Sequence, residues 1–217
     1  MELAIFDLDG VIVDTARYHY LAWKRLAREH GFDFTETDNE RLKGVSRMRS
    51  LEILLEIGDI SADEPTRQEM ADRKNAWYVE YISRMNTSEI LPGAAEYVRH
   101  LQSRDVKTAI GSASRNTPLI LEHLQIASLF DVVIDGRKVQ RAKPDPEVFV
   151  LAAQTLNVLP ERCVVFEDAE AGIEAARRAG MGAVGIGRPA VLKDADVVVP
   201  SLLELLTLSV VDRAIDP

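Results

Sequence analysis

Six short β-rich runs recur along the chain: LAIFD (3–7), KTAIG (107–111), DVVID (131–135), CVVFE (163–167), GAVGI (182–186) and DVVVP (196–200). Helical patterns lie between them, near 94–103, 117–124, 146–156 and 170–179. Near-continuous apolar strands separated by helices predict a parallel sheet covered on both faces. That is a doubly wound α/β fold. Residues 16–89 break the alternation. They hold no convincing strand, only helical segments at 16–30, 36–43, 47–57 and 63–85. The α/β pattern resumes at Leu91-Pro92-Gly93. The expected organisation is therefore a core of residues 1–15 and 90–217 with an inserted α-helical cap of residues 16–89. The connections near Asp14–Thr15 and Ser88–Pro92 are candidate hinges.

With 217 residues, 47% of them hydrophobic, the chain can bury one sizeable core and carry a smaller insertion. No apolar run approaches the roughly 20 residues needed to cross a bilayer. MELAIFDLDG reads as a strand from its second residue, so no secretion signal is expected. The single cysteine, Cys163, lies in an apolar run and reads as a core residue. A reducing, cytoplasmic setting and a monomer are the expectations. Net charge is -9, from 26 basic and 35 acidic residues. So acidic a surface argues against nucleic acid or an anionic membrane as partner. It would also repel small anions such as phosphate esters. Any phosphate site must then be built from a few placed cations and backbone amides.

Asp7-Leu8-Asp9-Gly10 follows the first apolar run. Residues two apart on an extended chain share a side, so Asp7 and Asp9 should project together from the strand's carboxyl end. That end of an open α/β sheet borders the ligand crevice. Two close carboxylates need a cation, a shared proton, or both; an ordinary Asp turn is the alternative. Ser112 follows the second run, where a hydroxyl and backbone amides can hold phosphate. Thr117-Pro118 supplies an N-cap signal for the next helix. Lys143 precedes Pro144-Asp145-Pro146, which places an ammonium at a strand–helix junction. Glu167-Asp168 adds a second acidic pair at another strand end.

DLDGVIVDT, Ser112, Lys143 before a proline, and FEDAEAG occur in that order and together resemble the haloacid-dehalogenase superfamily. The resemblance implies that Asp7 is a nucleophile forming an aspartyl phosphate and that Asp9 is the general acid and base. It implies Mg²⁺, which takes oxygen ligands and keeps some waters. Asp7, the backbone carbonyl of Asp9, and Asp168 would be its ligands, with Glu167 acting through water or from behind. Lys143 would offset the charge of nucleophile and phosphoryl group.

The cap carries further candidates. In LKGVSR, Gly44 opens backbone amides beside Val45, Ser46 offers a hydroxyl and Arg47 a planar fork suited to phosphate; a solvated helix–helix turn is the alternative. Lys74 shares a helical stripe with Met70, Trp77, Tyr81 and Met85, either as a functional group or as a lysine at the stripe's edge. His19, Trp23 and Leu26 share a face of the first cap helix, where His19 could equally be a packing residue. His19 and Trp23, LKGVSR, Arg73-Lys74-Asn75 and Ser112-Ala113-Ser114-Arg115-Asn116 together resemble the β-phosphoglucomutase family, up to about Pro189. That family commonly has lysine at the position of Arg115. The resemblance implies interconversion of β-D-glucose 1-phosphate and D-glucose 6-phosphate through β-glucose 1,6-bisphosphate. Asp7, Ser112 and Lys143 would hold the transferring phosphate, and Arg47, Ser114, Arg115 and Asn116 the distal one. Lys74 and His19 would report or stabilise cap closure. A phosphatase of the same fold shares the core motifs but not this cap set. A non-catalytic sugar-phosphate sensor would be expected to lack Asp7, Asp9 or Lys143, and all three are present.

Overall fold

A computed structural model describes residues 1–42 and 45–207. Six strands form one parallel sheet: β1 (Leu3–Phe6), β2 (Lys107–Gly111), β3 (Val132–Ile134), β4 (Cys163–Glu167), β5 (Gly182–Ile186) and β6 (Val197–Val199). Their spatial order is β3-β2-β1-β4-β5-β6. The chain runs outward from β1 to one edge, then returns to place β4 on the other side of β1. The strand order therefore reverses around β1 and β4, and a crevice opens beyond their carboxyl ends.

Alternation along the strands builds two apolar layers. Ala4 and Phe6 face one side, where they meet residues of α5 (Ala94–Gln102), α6 (Thr117–His123) and α9 (Leu202–Thr207). Phe6 stacks on Phe166 with ring centroids 4.6 Å apart, locking β1 to β4. Leu3 and Ile5 face the other side and pack with residues of α7 (Glu147–Thr155) and α8 (Glu170–Arg178). Cys163 is buried in this second layer, as the sequence suggests. Burial pushes its thiol up to about 11, which leaves it inert as a nucleophile.

Between β1 and α5, the described residues form an insertion of four helices: α1 (Ala16–Glu29), α2 (Glu36–Glu40), α3 (Arg47–Ile57) and α4 (Glu64–Ile82). Their starts are encoded locally. Thr35 and Asp38 form a reciprocal capping box on α2, and Ser46 and Asp63 accept from the backbone of Arg49 and Thr66. Trp23, Leu26, Phe34, Leu51, Leu54 and Met70 give the insertion its own apolar cluster. Its two connections to the sheet run side by side, with Val13 bridged to Ile90 and Leu91 N–H donating to Ile12 at 2.9 Å. Tyr18 and Arg17 of α1 both reach Glu89 across the gap.

Two expectations need correction. The long cap helix ends at Ile82 and buries Met70, Lys74, Tyr78 and Ile82, not a face through Trp77 and Tyr81. Trp77 instead lies under the guanidinium of Arg25, 4.2 Å from its ring centroid, with that of Arg73 at 5.8 Å. Asn116, not Thr117, occupies the N-cap of α6; the Thr117 hydroxyl donates to the Ser114 carbonyl at 2.9 Å.

Candidate functional site

The register of the sheet sets the carboxylates side by side. Phe6 pairs with both Ile110 and Phe166, so Asp7, one residue on, stands level with Gly111 and Glu167. Asp7 N–H donates to the Phe166 carbonyl at 2.9 Å. Lys143 arrives from the loop before α7 and sits between the two acids. Its ammonium donates to Asp7 Oδ1 at 2.6 Å and to Glu167 Oε2 at 2.7 Å. Burial disfavours the charge on Lys143, but Asp7 and Glu167 outweigh it and hold the ammonium protonated. Burial, reinforced by Asp7 and Asp168, pushes Glu167 up, despite Lys143.

Asp7, Glu167 and Asp168 each place an oxygen such that all three lie within 4.8 Å of one another. An all-oxygen acidic group of this kind fits a hard divalent cation. Two glycines make room for it. Gly10 has φ +79, and a Cβ there would fall 2.2 Å from Asp168 Oδ2. A Cβ on Gly172, in the first turn of α8, would fall 2.0 Å from Glu167 Cδ.

Asp9 lies beyond Asp7, hydrogen-bonded to the Thr15 hydroxyl at the start of α1. Burial first, then Asp7, push its carboxyl up to about 7, despite Thr15 and Lys143. A carboxyl in that range can both give and take a proton near neutral pH. From α4, buried Lys74 shares a 2.8 Å hydrogen bond between its Nζ and His19 Nδ1, and that Nζ stands 4.4 Å from the ring centroid of Trp23. Burial, then Arg47, lower Lys74, while Asp9 opposes them; burial, then Lys74, lower His19. Lys74 is thus enclosed rather than at the edge of its stripe.

On the core side, Ser112 to Asn116 form a tight turn after β2. Ser114 N–H donates to Ser112 Oγ at 3.1 Å, and Asn116 N–H to Ser114 Oγ at 3.2 Å. Gly136 N–H donates to the Ser114 carbonyl at 3.2 Å from the loop after β3. Arg115 is exposed, and Arg47 is only partly so. Burial, then Arg115, lower the pKa of Arg47, while its ion pair with Asp72 at 3.8 Å opposes them.

One cavity of about 620 Å³ collects these groups. Asp7, Asp9 and Asp168 line it, as do Ser112, Ala113, Ser114, Arg115 and Asn116 from the core. His19, Trp23, Val45, Ser46, Arg47 and Lys74 line it from the cap. Lys143 and Glu167 stand behind the cavity wall rather than in it, at 4% and 0% exposure. Gly44 lies outside the described residues. The sequence pattern included Asn75 but gave it no role, although it also lines the cavity, and gave Gly172 none. Both matter only through contacts distant in sequence; the one local signal is that Asn75 follows Lys74.

Residues 1–180 match the family model described as "Hydrolase: haloacid dehalogenase-like hydrolase". The chain belongs to that family. It is 42% identical over 207 residues to the β-phosphoglucomutase of Bacillus subtilis (strain 168), covering 94% of this chain and 92% of the relative. The crystal structure of a β-phosphoglucomutase from Clostridium difficile superposes with a TM-score of 0.91 at 44% identity, over 94% of this chain and 93% of that one. A phosphorylated carbohydrates phosphatase of Thermotoga maritima is 34% identical over 184 residues, covering 83% of this chain and 82% of the relative. Among the described residues, no helix is long and apolar enough to cross a membrane.

Proposed function

We propose that this chain interconverts β-D-glucose 1-phosphate and D-glucose 6-phosphate through an aspartyl phosphate on Asp7 and free β-glucose 1,6-bisphosphate. The observation that carries this reading is a single cavity lined both by Asp7 and Asp9 and by Arg47 and Arg115. Arg115 stands close enough to Arg47 to disfavour the charge on its guanidinium. A mutase needs two phosphate sites in one chamber, and a simple phosphatase needs one. The similarity to β-phosphoglucomutases over nearly the whole chain supports the same reading.

In this proposal residues 16–89 act as the cap over a core of residues 1–15 and 90–217. Asp7, the Asp9 backbone carbonyl and Asp168 would hold Mg²⁺, with Glu167 as an outer partner, and the ion would supply positive charge to the transferring group. Asp7 attacks phosphorus; the bond to the sugar oxygen breaks, and Asp9 gives that oxygen its proton. In the reverse half, Asp9 takes the proton of the attacking sugar hydroxyl and Asp7 is freed. Lys143 offsets charge on the nucleophile and the transferring group and Ser112 helps hold that group, while Arg47, Ser114, Arg115 and Asn116 grip the distal phosphate. Trp23, Val45, Ser46 and Ala113 shape the sugar's walls. Lys74 and His19 stabilise the closed cap, which keeps water from the phosphoryl enzyme.

Arg47→Ala tests the distal site. Charge-assisted contacts are worth roughly 1.5–3 kcal/mol, so bisphosphate-primed isomerisation should fall about 10–100-fold. Turnover of acetyl phosphate, which has no second phosphate, should fall far less. An equal fractional loss in the two parallel assays would contradict the assignment. A second variant probes the cation. Gly172→Ala must displace Glu167 from Lys143, because its Cβ has no room. Displacing such an outer partner typically weakens metal affinity about 10–100-fold. Calorimetric Mg²⁺ titration should show that loss, and an unchanged affinity would remove Glu167 from the cation's support.

A further inference from the structure

Asn116 occupies a position where an asparagine ordinarily accepts a hydrogen bond from the second or third amide of its helix. Here its side chain makes no such bond. Instead Nδ2 donates across the cleft to Asn75 Oδ1 of α4, at 2.9 Å. The turn does not need that side chain to hold its shape. Asn116 N–H already meets Ser114 Oγ, its carbonyl accepts from Ile120 N–H at 3.1 Å, and the Thr117 hydroxyl closes on the Ser114 carbonyl.

Asn75 sits where α4 passes from one apolar cluster to the other. Met70 and Ala71, a turn earlier, belong to the cap's own cluster. Tyr78 and Ile82, one and two turns later, belong to the cluster that covers the sheet. Lys74, its neighbour, is fixed on His19 and Trp23. Asn75 is therefore held by a rigid helix at the seam between cap and core, and both carboxamides line the cavity. The pair is neutral, so it can tie the two walls without drawing charge from Arg47 or the phosphates.

We propose that Asn75 is a positioning residue: it latches the closed cap to the turn that holds Asn116, and so decides whether a sugar hydroxyl or water takes the phosphoryl group from Asp7. The proposal rests on the mutase reading above. In the competing reaction a water oxygen attacks phosphorus, the bond from phosphorus to the Asp7 carboxylate breaks, and the water's proton passes to Asp9. The products are inorganic phosphate and free Asp7. A cap that opens more often admits that water more often.

The test compares wild type with Asn75→Ala and Asn75→Leu. Both replacements are good helix formers, so α4 should persist, and leucine keeps the bulk without the acceptor. Isomerised sugar and inorganic phosphate are measured together in one bisphosphate-primed reaction. Loss of one net hydrogen bond should raise the ratio of phosphate to isomerised sugar about 2- to 10-fold in both variants. A purely structural role would lower both products equally and leave the ratio unchanged. A wild type that isomerises, with variants that keep its ratio, overturns the latch alone. A wild type that releases phosphate without isomerising overturns the mutase reading and the latch with it.

Discussion

Asp7→Asn is expected to abolish turnover while leaving the fold intact. Asp7 directly follows β1 at the point where the strand order reverses, beside Lys143 and within reach of Glu167 and Asp168. An amide in its place cannot attack phosphorus as a carboxylate does. It also removes one charge from the group suited to a cation. Removing the nucleophile of a covalent mechanism costs on the order of 10⁶-fold where it has been separated from other effects. The neutral amide can still accept from Lys143, so thermal unfolding should remain a single cooperative transition. Isomerisation and acetyl-phosphate turnover should vanish together in steady-state assays. Activity near wild type in this variant would remove Asp7 from the chemistry.

The second large effect is expected from Asp9→Asn. Asp9 lines the same cavity one turn of chain beyond the nucleophile, held by the Thr15 hydroxyl where the chain enters the cap. General acid–base groups supply about 10²–10⁴-fold. The variant should lose that factor in transfer to and from sugar oxygens, which need a proton given or taken. Mg²⁺ affinity should change much less, because the backbone carbonyl at this position remains. Rapid-quench measurement of phosphoryl transfer and a calorimetric titration of Mg²⁺ separate the two. A transfer rate lowered by less than about tenfold would contradict the role.

The sheet was legible because burial on both faces leaves a plain signature: short apolar-rich runs, each followed by turn or helix chemistry. The same logic placed Asp7, Ser112 and Glu167 at strand ends. What the sequence could not supply is which partners those ends meet. Lys143 reads as an ammonium at a strand–helix junction, but its contact with Asp7 spans 136 residues of chain. Local pattern also failed to choose between adjacent aromatics. Trp77 and Tyr78 both suit an apolar stripe on α4; Tyr78 is buried, while Trp77 lies against the guanidiniums of Arg25 and Arg73. That choice depends on the neighbouring helix α1, which brings Arg25 over Trp77, as well as on α4's own Arg73. The same is true of Asn75 and Gly172. Asparagine in mid-helix and glycine in a first turn carry no signal until Asn116 and Glu167 are brought against them.

The central claim is that phosphate taken from one position of a sugar returns to another position rather than to water. The direct measurement incubates the chain with Mg²⁺, β-glucose 1-phosphate and a catalytic amount of β-glucose 1,6-bisphosphate. Glucose 6-phosphate and inorganic phosphate are then followed in the same tube by phosphorus NMR. The account predicts that glucose 6-phosphate accumulates as the main product, with inorganic phosphate a minor one and the bisphosphate pool maintained. Release of inorganic phosphate as the main product, without glucose 6-phosphate, would contradict it and assign the chain to the phosphatases of its family.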